Sequence, residues 1–417
     1  MIVLFAGFSL MAPANATTFA SLVICALSVS AAIFLILELD QPFSGIMMIQ
    51  SEPLRNALPA LNPQRLLSGR ETRLTAQGGR NPDGMDAMSN ALHTPVCDLL
   101  GCKYPVVLAG MGGVARSELV AAVTNAGGFG FLGMVRESPA LIEAEVARVR
   151  EQTDRSFGVN LIPAATPSAL LDEEISTCLA LEIPAMALFW DVQPDVVRRL
   201  KDAGVIVVYQ IGSVEEAKRA EAAGADTLIA QGREAGGHVW GTEPRNRLVR
   251  NVVAASRLPV LAAGGIVTGE DLAEALSLGA QGVVIGTALM ATHESFAHDY
   301  HKQRLVDARD GDTLLTCDFH INWPEGAKVR VLNNSVTRGE HGGPNSGIRE
   351  VIGDEEGRPI YLFSTDSPLR SMTGDFEAMA LYAGEGVSRL RSIVGAEERL
   401  RNIVSEAAAL LESRGGG

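Results

Sequence analysis

The sequence predicts an α/β protein built as a TIM (β/α)8 barrel, with a hydrophobic N-terminal segment before it and an added subdomain after it. From about Leu92, short apolar runs of strand length alternate with amphipathic stretches of helix length, a pattern typical of parallel βα units. Eight such units follow one another before the repeat stops near Ala291, and eight units close a barrel. The runner-up is a doubly wound open sheet, but the first apolar run lacks the dinucleotide fingerprint expected there.

Each predicted strand is a short apolar run bounded by glycine, proline or charged residues, as buried parallel strands are. The strands are predicted at residues 105–109, 128–132, 156–161, 185–190, 205–209, 226–230, 259–263 and 282–285. Helices between them are predicted at residues 117–125, 140–149, 194–203, 214–223 and 269–278. Together they assign residues 91–292 to the barrel.

The remaining residues, 293–417, lack the βα repeat and are predicted to form an extension that packs on the open face of the barrel. Residues 320–334 and 348–363 have irregular or extended patterns, whereas residues 376–383 and 396–412 have helical ones.

Residues 1–60 form a hydrophobic segment, and residues 61–90 have the composition of a linker. Residues 18–37 contain no charged side chain and are long enough for one transmembrane helix; a hairpin or an uncleaved signal is the alternative. Arginines after this span favour a cytoplasmic catalytic part with a membrane tether. Residues 35–58 resemble the tail of a bacterial bestrophin-like membrane family.

Charge and cysteine usage narrow the class of ligand. The net charge of −14 argues against nucleic acid, because no broad basic face is available to neutralise phosphates, and a small molecule is expected instead. The five cysteines form neither a CxxC pair nor a disulfide framework, so reduced structural thiols are predicted. No metal site is predicted, since His293, His298 and His301 lack metal-ligand spacing and fit a partly exposed helix.

Glycines follow the last two predicted strands, where barrels commonly bind phosphate. Ala263, Gly264 and Gly265 end the seventh strand, and Gly286 and Thr287 end the eighth. Backbone amides and a threonine hydroxyl can surround a phosphate group, which predicts a phosphate site held mainly by dipoles. The alternative is that both glycine stretches only close tight loops.

Further strand ends carry groups that suit a flat heteroaromatic ligand. A glycine-rich turn with Ala109, Gly110 and Met111 follows the first strand and allows close backbone approach. The amides of Asn160, Gln210 and Gln231 lie at or after strands three, five and six. They can point into the same barrel mouth, or they can bond to loop backbone instead.

The stretch QGREAGGHVWG, residues 231–241, follows the sixth strand and contains the histidine best placed for chemistry. Gly236 and Gly237 allow backbone to approach a ligand, and His238 supplies a group that titrates near neutral pH. An ordinary surface loop with an incidental histidine is the alternative.

From about Asn90 onward the chain resembles the nitronate monooxygenases, also called 2-nitropropane dioxygenase-like proteins, and more distantly the FMN-dependent enoyl-ACP reductases. The resemblance rests on AGMGGVARSELVAAVTNAGGFGFLG (109–133), SFGVNLI (156–162), QIGSVEEA (210–217), QGREAGGHVWG (231–241), AAGGI (262–266) and VIGTALMATHES (284–295). The tail matches less distinctively, through INWPEGAKVRVLNNS (321–335) and GDFEAMALYAGEGV (374–387).

The resemblance implies that FMN lies across the barrel mouth and that alkyl nitronates are oxidised with O2 to carbonyl compounds and nitrite. The residues implied to contact FMN or line its site are Ala109, Gly110, Met111, Asn160, Gln210, Gln231, Gly236, Gly237, Ala263, Gly264, Gly265, Gly286 and Thr287. His238 matches the histidine proposed to deprotonate a neutral nitroalkane, a task suited to an imidazole.

The chain departs from the family pattern at two places. Ala288 stands where arginine often follows the Gly-Thr pair. Some members have another histidine at the end of strand four, where this chain has Trp190 and Asp191. Asp191 is a candidate polar replacement; Asp195 is another, but helix capping before Val196 is the favoured interpretation of Asp195. Trp190 is expected to line the pocket or to pack in the barrel.

Two other functions compete with nitronate oxidation. One is an NAD(P)H-dependent FMN oxidoreductase that reduces quinones or enoyl thioesters. The other is not an enzyme but a membrane-tethered barrel that binds a phosphate-bearing ligand. The sequence leaves the oligomeric state open.

Overall fold

Eight parallel strands close into a barrel in the computed structural model, which describes residues 92–324, 326–342 and 349–415. The predictions for residues 1–60 and 61–90, including the membrane span at 18–37, lie outside these described residues. Within the described ranges, no helix is long and apolar enough to cross a bilayer.

The barrel strands are β1 Val106–Leu108, β2 Phe129–Gly133, β3 Gly158–Leu161, β4 Ala185–Leu188, β5 Ile206–Ile211, β6 Thr227–Gln231, β8 Val260–Ala263 and β9 Gly282–Ile285. A short strand, β7 Gly237–Val239, interrupts the connection between β6 and β8. The helices are α1 Pro95–Leu100, α2 Ser117–Asn125, α3 Pro139–Gln152, α4 Ser168–Ala180, α5 Pro194–Asp202, α6 Val214–Ala223, α7 Arg245–Ala255, α8 Gly269–Ser277, α9 Thr287–Met290 and α10 Asp299–Asp307.

The later residues form β10 Thr313–Thr316, β11 Lys328–Leu332, β12 Val351–Glu355, β13 Arg358–Tyr361, β14 Met372–Gly374 and the helix α11 Ala396–Gly415. Strand order in the barrel is sequential, with β9 pairing back to β1. The predicted TIM barrel is therefore confirmed, and each of the eight predicted strands is present with its ends shifted by at most a few residues.

Side chains along each strand point alternately into the barrel and toward the surrounding helices, so the hydrophobic core has an inner and an outer layer. In β1, Val107 points into the barrel, where it packs near Phe129 and Phe131, whereas Val106 and Leu108 face the surrounding helices. Helix α1 and the turn after it close the N-terminal end of the barrel with buried apolar side chains and the buried thiols of Cys97, in α1, and Cys102, in the turn. The barrel interior is thus filled at its lower end and leaves space only at the C-terminal mouth.

Local sequence signals set several helix ends. Ser213 caps α6 by accepting a hydrogen bond from the Glu216 amide, and Gly224 ends it in the left-handed region at φ +105°. Thr268 and Asp271 form a capping box at the start of α8. These signals satisfy backbone groups that a helix leaves unpaired at its ends.

A strand from the C-terminal residues forms a sheet with a strand from one of the barrel loops. Strand β11 pairs antiparallel with β7 on one side and with β10 on the other. Strands β12, β13 and β14 form a separate antiparallel sheet. Helix α11 packs against α8 and α2, which belong to the barrel's outer layer.

One predicted helix is wrong. Residues 376–383 were expected to be helical, but only Phe376–Ala378 forms a 3-10 turn. The chain then extends because Leu381 accepts a hydrogen bond from the Leu332 amide and the Ala383 amide donates to Arg330, both at the edge of β11. Tertiary pairing overrides the helical pattern of this segment.

Candidate active site

A cavity of about 960 Å³ opens at the C-terminal mouth of the barrel, near the upper end of the range for ligand sites. All the residues that the resemblance implies for FMN binding or proton transfer line this one cavity. These residues are Ala109, Gly110, Met111, Asn160, Gln210, Gln231, Gly236, Gly237, His238, Ala263, Gly264, Gly265, Gly286 and Thr287.

The loops after β8 and β9 line the cavity with a cradle of glycine and threonine backbone. Gly264 and Gly265 have φ of +110° and +66°, a region that favours glycine. Among the described residues, no acceptor bonds to the N–H groups of Gly265, Thr287 or Ala288. The Thr287 hydroxyl accepts a hydrogen bond from the Gly384 amide at 3.0 Å, which leaves its own proton free to donate.

Two arginines that were not predicted from the sequence donate hydrogen bonds to the backbone carbonyls of this cradle. Arg245 donates to the Gly264 carbonyl at 3.1 Å, and Arg389 donates to the Gly265 carbonyl at 2.6 Å. Because the carbonyls face these arginines, the amides can face the cavity. Neither arginine lies in the glycine loops, and Arg389 belongs to a distant part of the chain, so the spacing of motifs gave no signal for them.

The amides of Asn160, Gln210 and Gln231 converge on the cavity. Gln231 donates to the backbone carbonyl of His238 at 2.9 Å, and its Oε1 is buried without a partner. Asn160 donates to the Ala187 carbonyl at 3.0 Å. A side chain at Gly110 would place its Cβ 2.1 Å from that of Asn160, so glycine is required there.

His238 lies on β7, and its Nε2 is buried without a hydrogen-bond partner. Its ring contacts that of Trp323, with centroids 3.4 Å apart and planes tilted by 30°, and the Tyr382 ring lies 5.6 Å away. Burial, and secondarily the charge of Arg136, lower the pKa of His238 to about 3. The imidazole is therefore neutral at pH 7 and can accept a proton.

Asp191 does not replace the missing strand-four histidine, and Asp195 lies in the first turn of α5, in line with its favoured place at the start of that helix, although its side chain does not cap it. Asp191 has a half-exposed side chain that pairs with Arg219 at 3.3 Å, and Asp195 is exposed beside Arg198; neither lines the cavity. Trp190 is buried, but it packs against Trp240, with ring centroids 4.5 Å apart, rather than lining the cavity.

The histidines after β9 also differ from expectation. His301 is fully buried in α10, where its Nε2 lies 3.0 Å from the Tyr382 carbonyl, although a partly exposed helix was expected. Burial lowers the pKa of His301 to about 4. His298 instead caps α10 by accepting from the Tyr300 amide.

The C-terminal residues contribute cavity walls that were not predicted individually. Trp323, Tyr382 and Gly384 line the cavity, as does Arg136 from the loop after β2. Trp323 and Tyr382 fall within the two tail stretches that resemble the family, so that resemblance was the available signal.

The fold and this cavity define a TIM barrel in which glycine-rich loops after β8 and β9 share one cavity with a partly buried histidine. The chain belongs to the nitronate monooxygenase family, whose model matches residues 93–406. It is thus a member of an oxidoreductase family.

The chain is also similar to three proteins with different named activities. A 5-hydroxy-7a-methyl-1-oxo-octahydro-1H-indene-4-carboxyl-CoA dehydrogenase of Mycobacterium tuberculosis is 35% identical over 59% of this chain and 67% of its own length. The structure of FabK from Thermotoga maritima has a TM-score of 0.68 at 29% identity, over 78% of this chain and 99% of that one. A nitroalkane oxidase from Streptomyces ansochromogenes has a TM-score of 0.62 at 31% identity, over 76% and 99%.

Proposed function

We propose that this protein is an FMN-dependent nitronate monooxygenase, which converts alkyl nitronates and O2 to carbonyl compounds and nitrite. The observation that carries the proposal is the unpartnered Nε2 of neutral His238 in the same cavity as the anion cradle of Gly264, Gly265 and Thr287. Membership of the nitronate monooxygenase family supports the same reaction class.

The residues present fit FMN. The cradle amides and the Thr287 hydroxyl would hold the phosphate, and Arg245 and Arg389 would keep the loop in place through its carbonyls. The unpartnered Oε1 of Gln231 would accept from an N–H of the ring system. When bound, FMN supplies a centre that takes electrons from the substrate and passes them to O2.

The protein's own part is to position the substrate and move one proton. A neutral nitroalkane must lose its α-proton, and His238, which lines the cavity and has an unpartnered Nε2, is the proposed acceptor. A nitronate arrives already deprotonated, so His238 then only contacts the anion. Trp323 and Tyr382 cover the histidine and limit the access of water.

A second candidate is an FMN oxidoreductase that acts on acyl thioesters with NAD(P)H as donor. Two observations favour it: the cavity extends outward to Arg148, Glu356 and Arg358, and the relative from Mycobacterium tuberculosis is named as a dehydrogenase of a CoA thioester. A long thioester could use this outer space, whereas a small nitronate would not fill it.

The two functions are separated with the purified full chain after reconstitution with FMN. Nitronate monooxygenase activity is expected to release nitrite from ethyl or propyl nitronate in air, with little anaerobic bleaching of the flavin absorbance by NADH or NADPH. Rapid bleaching without nitrite release would favour the thioester reductase, and failure to bind FMN would overturn both.

A further inference from the structure

Among the four arginines that line the cavity, Arg136 alone forms no ion pair with a described residue, although Asp366 and Glu137 act on its charge from a greater distance. Three of these arginines are paired with carboxylates. Arg116 pairs with Glu137 at 3.0 Å, and Arg148 pairs with Glu145 at 2.7 Å. Arg358 pairs with both Glu355, at 2.5 Å, and Asp366, at 3.0 Å. Arg136 also lines it, yet no carboxylate among the described residues lies within 4.0 Å of its guanidinium. Its guanidinium is partly buried and has no carboxylate in direct contact, so it is available to pair with a ligand anion.

Arg136 is fixed in this position by the backbone and by two contacts. It has φ of +61°, an unusual value for a residue with a side chain. Its guanidinium donates to the Asn322 carbonyl and lies 5.7 Å from the centre of the Trp323 ring. Burial lowers the pKa of Arg136, which remains a cation at neutral pH because arginine begins from so high a value.

Trp323 contacts both Arg136 and His238. Its indole Nε1 is a buried donor without a partner. The Nε2 of His238 is likewise buried and unpartnered. Buried polar atoms without partners are rare in native proteins, so two of them beside an unpaired cation indicate a site for a ligand.

We propose that Arg136 and the indole N–H of Trp323 form a subsite for a planar oxyanion next to His238. The oxyanion is the nitronate group of the substrate, an identity that rests on the proposed function. A nitronate is planar, carries one delocalised negative charge and presents two oxygens, which suits a guanidinium with several donors in one plane.

The subsite also gives a reason for proton transfer to a weakly basic histidine. When a neutral nitroalkane is deprotonated, the C–H bond breaks, the proton moves to His238 Nε2, and the electron pair of the C–H bond delocalises onto the two oxygens of the nitro group. Negative charge therefore develops beside Arg136, which stabilises it in a partly dehydrated site. The anion formed stabilises protonated His238 in turn.

Binding of a carboxylate tests the subsite without turnover, because propanoate has the planarity, the charge and the two oxygens of a nitronate. Its dissociation constant is measured on the FMN-loaded full chain from the perturbation of flavin absorbance, and on the FMN-free chain from tryptophan fluorescence. Arg136→Gln is expected to weaken propanoate binding about tenfold or more, and Arg136→Lys less. Binding of neutral propanamide should change little.

Two further variants distinguish a loss of the oxyanion subsite from a general loss of positive charge or of packing at the cavity. Arg148→Gln removes a rim arginine that already pairs with Glu145 and is expected to change propanoate binding less than about twofold. Trp323→Phe keeps an aromatic ring over His238 but removes the N–H, and a severalfold weaker affinity is expected. FMN affinity should stay at the wild-type value in all of these variants, which verifies that the barrel is intact.

Wild-type affinity for propanoate in Arg136→Gln, or equal weakening in Arg136→Gln and Arg148→Gln, would overturn the subsite. If the wild-type chain releases no nitrite from nitronates but Arg136→Gln still weakens propanoate binding, the proposed reaction fails and the oxyanion subsite stands. If nitrite is released and the KM for nitronate is unchanged in Arg136→Gln, the reaction stands and the subsite fails.

Discussion

At the scale of single residues, His238 combines neutrality with an unpartnered ring nitrogen. Its pKa is lowered because the ring is buried beneath Trp323 and lies in the field of Arg136. A neutral imidazole is the form that can take a proton, but a low pKa makes it a weak base in the absence of substrate. The negative charge of a bound nitronate would raise that pKa toward the working range.

His238→Ala is expected to lower kcat/KM for a neutral nitroalkane by about 100-fold or more, because the proton acceptor is lost. Turnover of a preformed nitronate should fall far less, since it needs no deprotonation. Nitrite release from both substrates checks this, with FMN content measured alongside. His93→Ala, which removes an exposed histidine outside the cavity, serves as the control. Equal losses on both substrates would contradict the role of His238 as a base.

Two buried histidines should make the folded state sensitive to acid. His238 and His301 have pKa values lowered by burial to about 3 and about 4, so the unfolded chain binds more protons than the folded one below pH 6.5. Their stabilising contribution is complete above pH 6.5 and is lost as the pH falls. Protonation of each is expected to lower the free energy of unfolding by about 1–2 kcal/mol between pH 6.5 and pH 5.

Denaturant unfolding of wild type and His301→Gln at several pH values checks this expectation. Glutamine retains a donor for the Tyr382 carbonyl but does not titrate, so the decline below pH 6.5 should become shallower. Parallel declines in the two proteins would show that His301 does not contribute.

At the scale of elements, the strand that carries His238 is paired with the C-terminal residues. Val329 in β11 lies opposite His238 in β7. Arg330, which is buried, donates to the Arg233 carbonyl at 3.0 Å and pairs with Glu385 at 2.7 Å. The position of the histidine therefore depends on β11 as well as on its own loop.

Arg330→Met should weaken this connection and leave the Arg233 carbonyl without its donor. We expect a loss of about 1–3 kcal/mol of stability, together with a larger fall in nitronate turnover than in FMN affinity. Thermal unfolding and nitrite release provide the two measurements. Arg338→Met, at a largely exposed arginine of the same C-terminal part, should alter neither by much. Wild-type turnover in Arg330→Met would show that β11 does not position His238.

Two glycine-to-alanine variants should separate the effect of backbone strain from an effect on FMN binding by the loop after β8. Gly265→Ala places a Cβ 3.3 Å from that of Glu234 at φ +66°, and it is expected to lower FMN affinity about tenfold or more by shifting the cradle. Gly204→Ala has a similar φ of +78° but open space around it, so it carries the backbone cost alone. Both should lose about 1–2 kcal/mol of stability. Equal FMN affinity in the two variants would remove Gly265 from the phosphate site.

At the scale of the whole molecule, the C-terminal residues complete the outer layer of the barrel as well as its mouth. Leu400 in α11 is fully buried, and a side chain at Gly128, just before β2, would place its Cβ 2.8 Å from Leu400 Cδ1. Ile403 and Ala407 of the same helix belong to the main core. The apolar face of α11 is thus part of the core that stabilises the barrel.

Leu400→Ala should consequently destabilise the barrel, by about 2–5 kcal/mol, because it leaves a cavity between α11 and the strands. Far-UV and flavin signals are expected to be lost in one transition at a lower temperature. Arg401→Ala, at the exposed neighbouring position, is the control and should change the melting temperature little. Retention of wild-type stability in Leu400→Ala would show that α11 contributes little to the core.

The barrel and the grouping of candidate site residues could be predicted from the sequence because their signals are local. Apolar runs of strand length and the intervening helical patterns identify the βα units, and parallel strands in a closed barrel bring their C-terminal ends to one mouth. Residues as far apart as Ala109 and Thr287 could therefore be assigned to one cavity from their places after strands.

Tertiary structure alone decided what surrounds His238. The contact of Trp323 with the imidazole, the pairing of β7 with β11 and the contact of Arg136 with Trp323 join segments that are distant in the chain. Periodicity carries no information on such contacts, since they depend on how the C-terminal residues fold back over the mouth. The sequence by itself determined the barrel and the place of its cavity, whereas long-range packing determined the charge, the burial and the unpaired atoms within it.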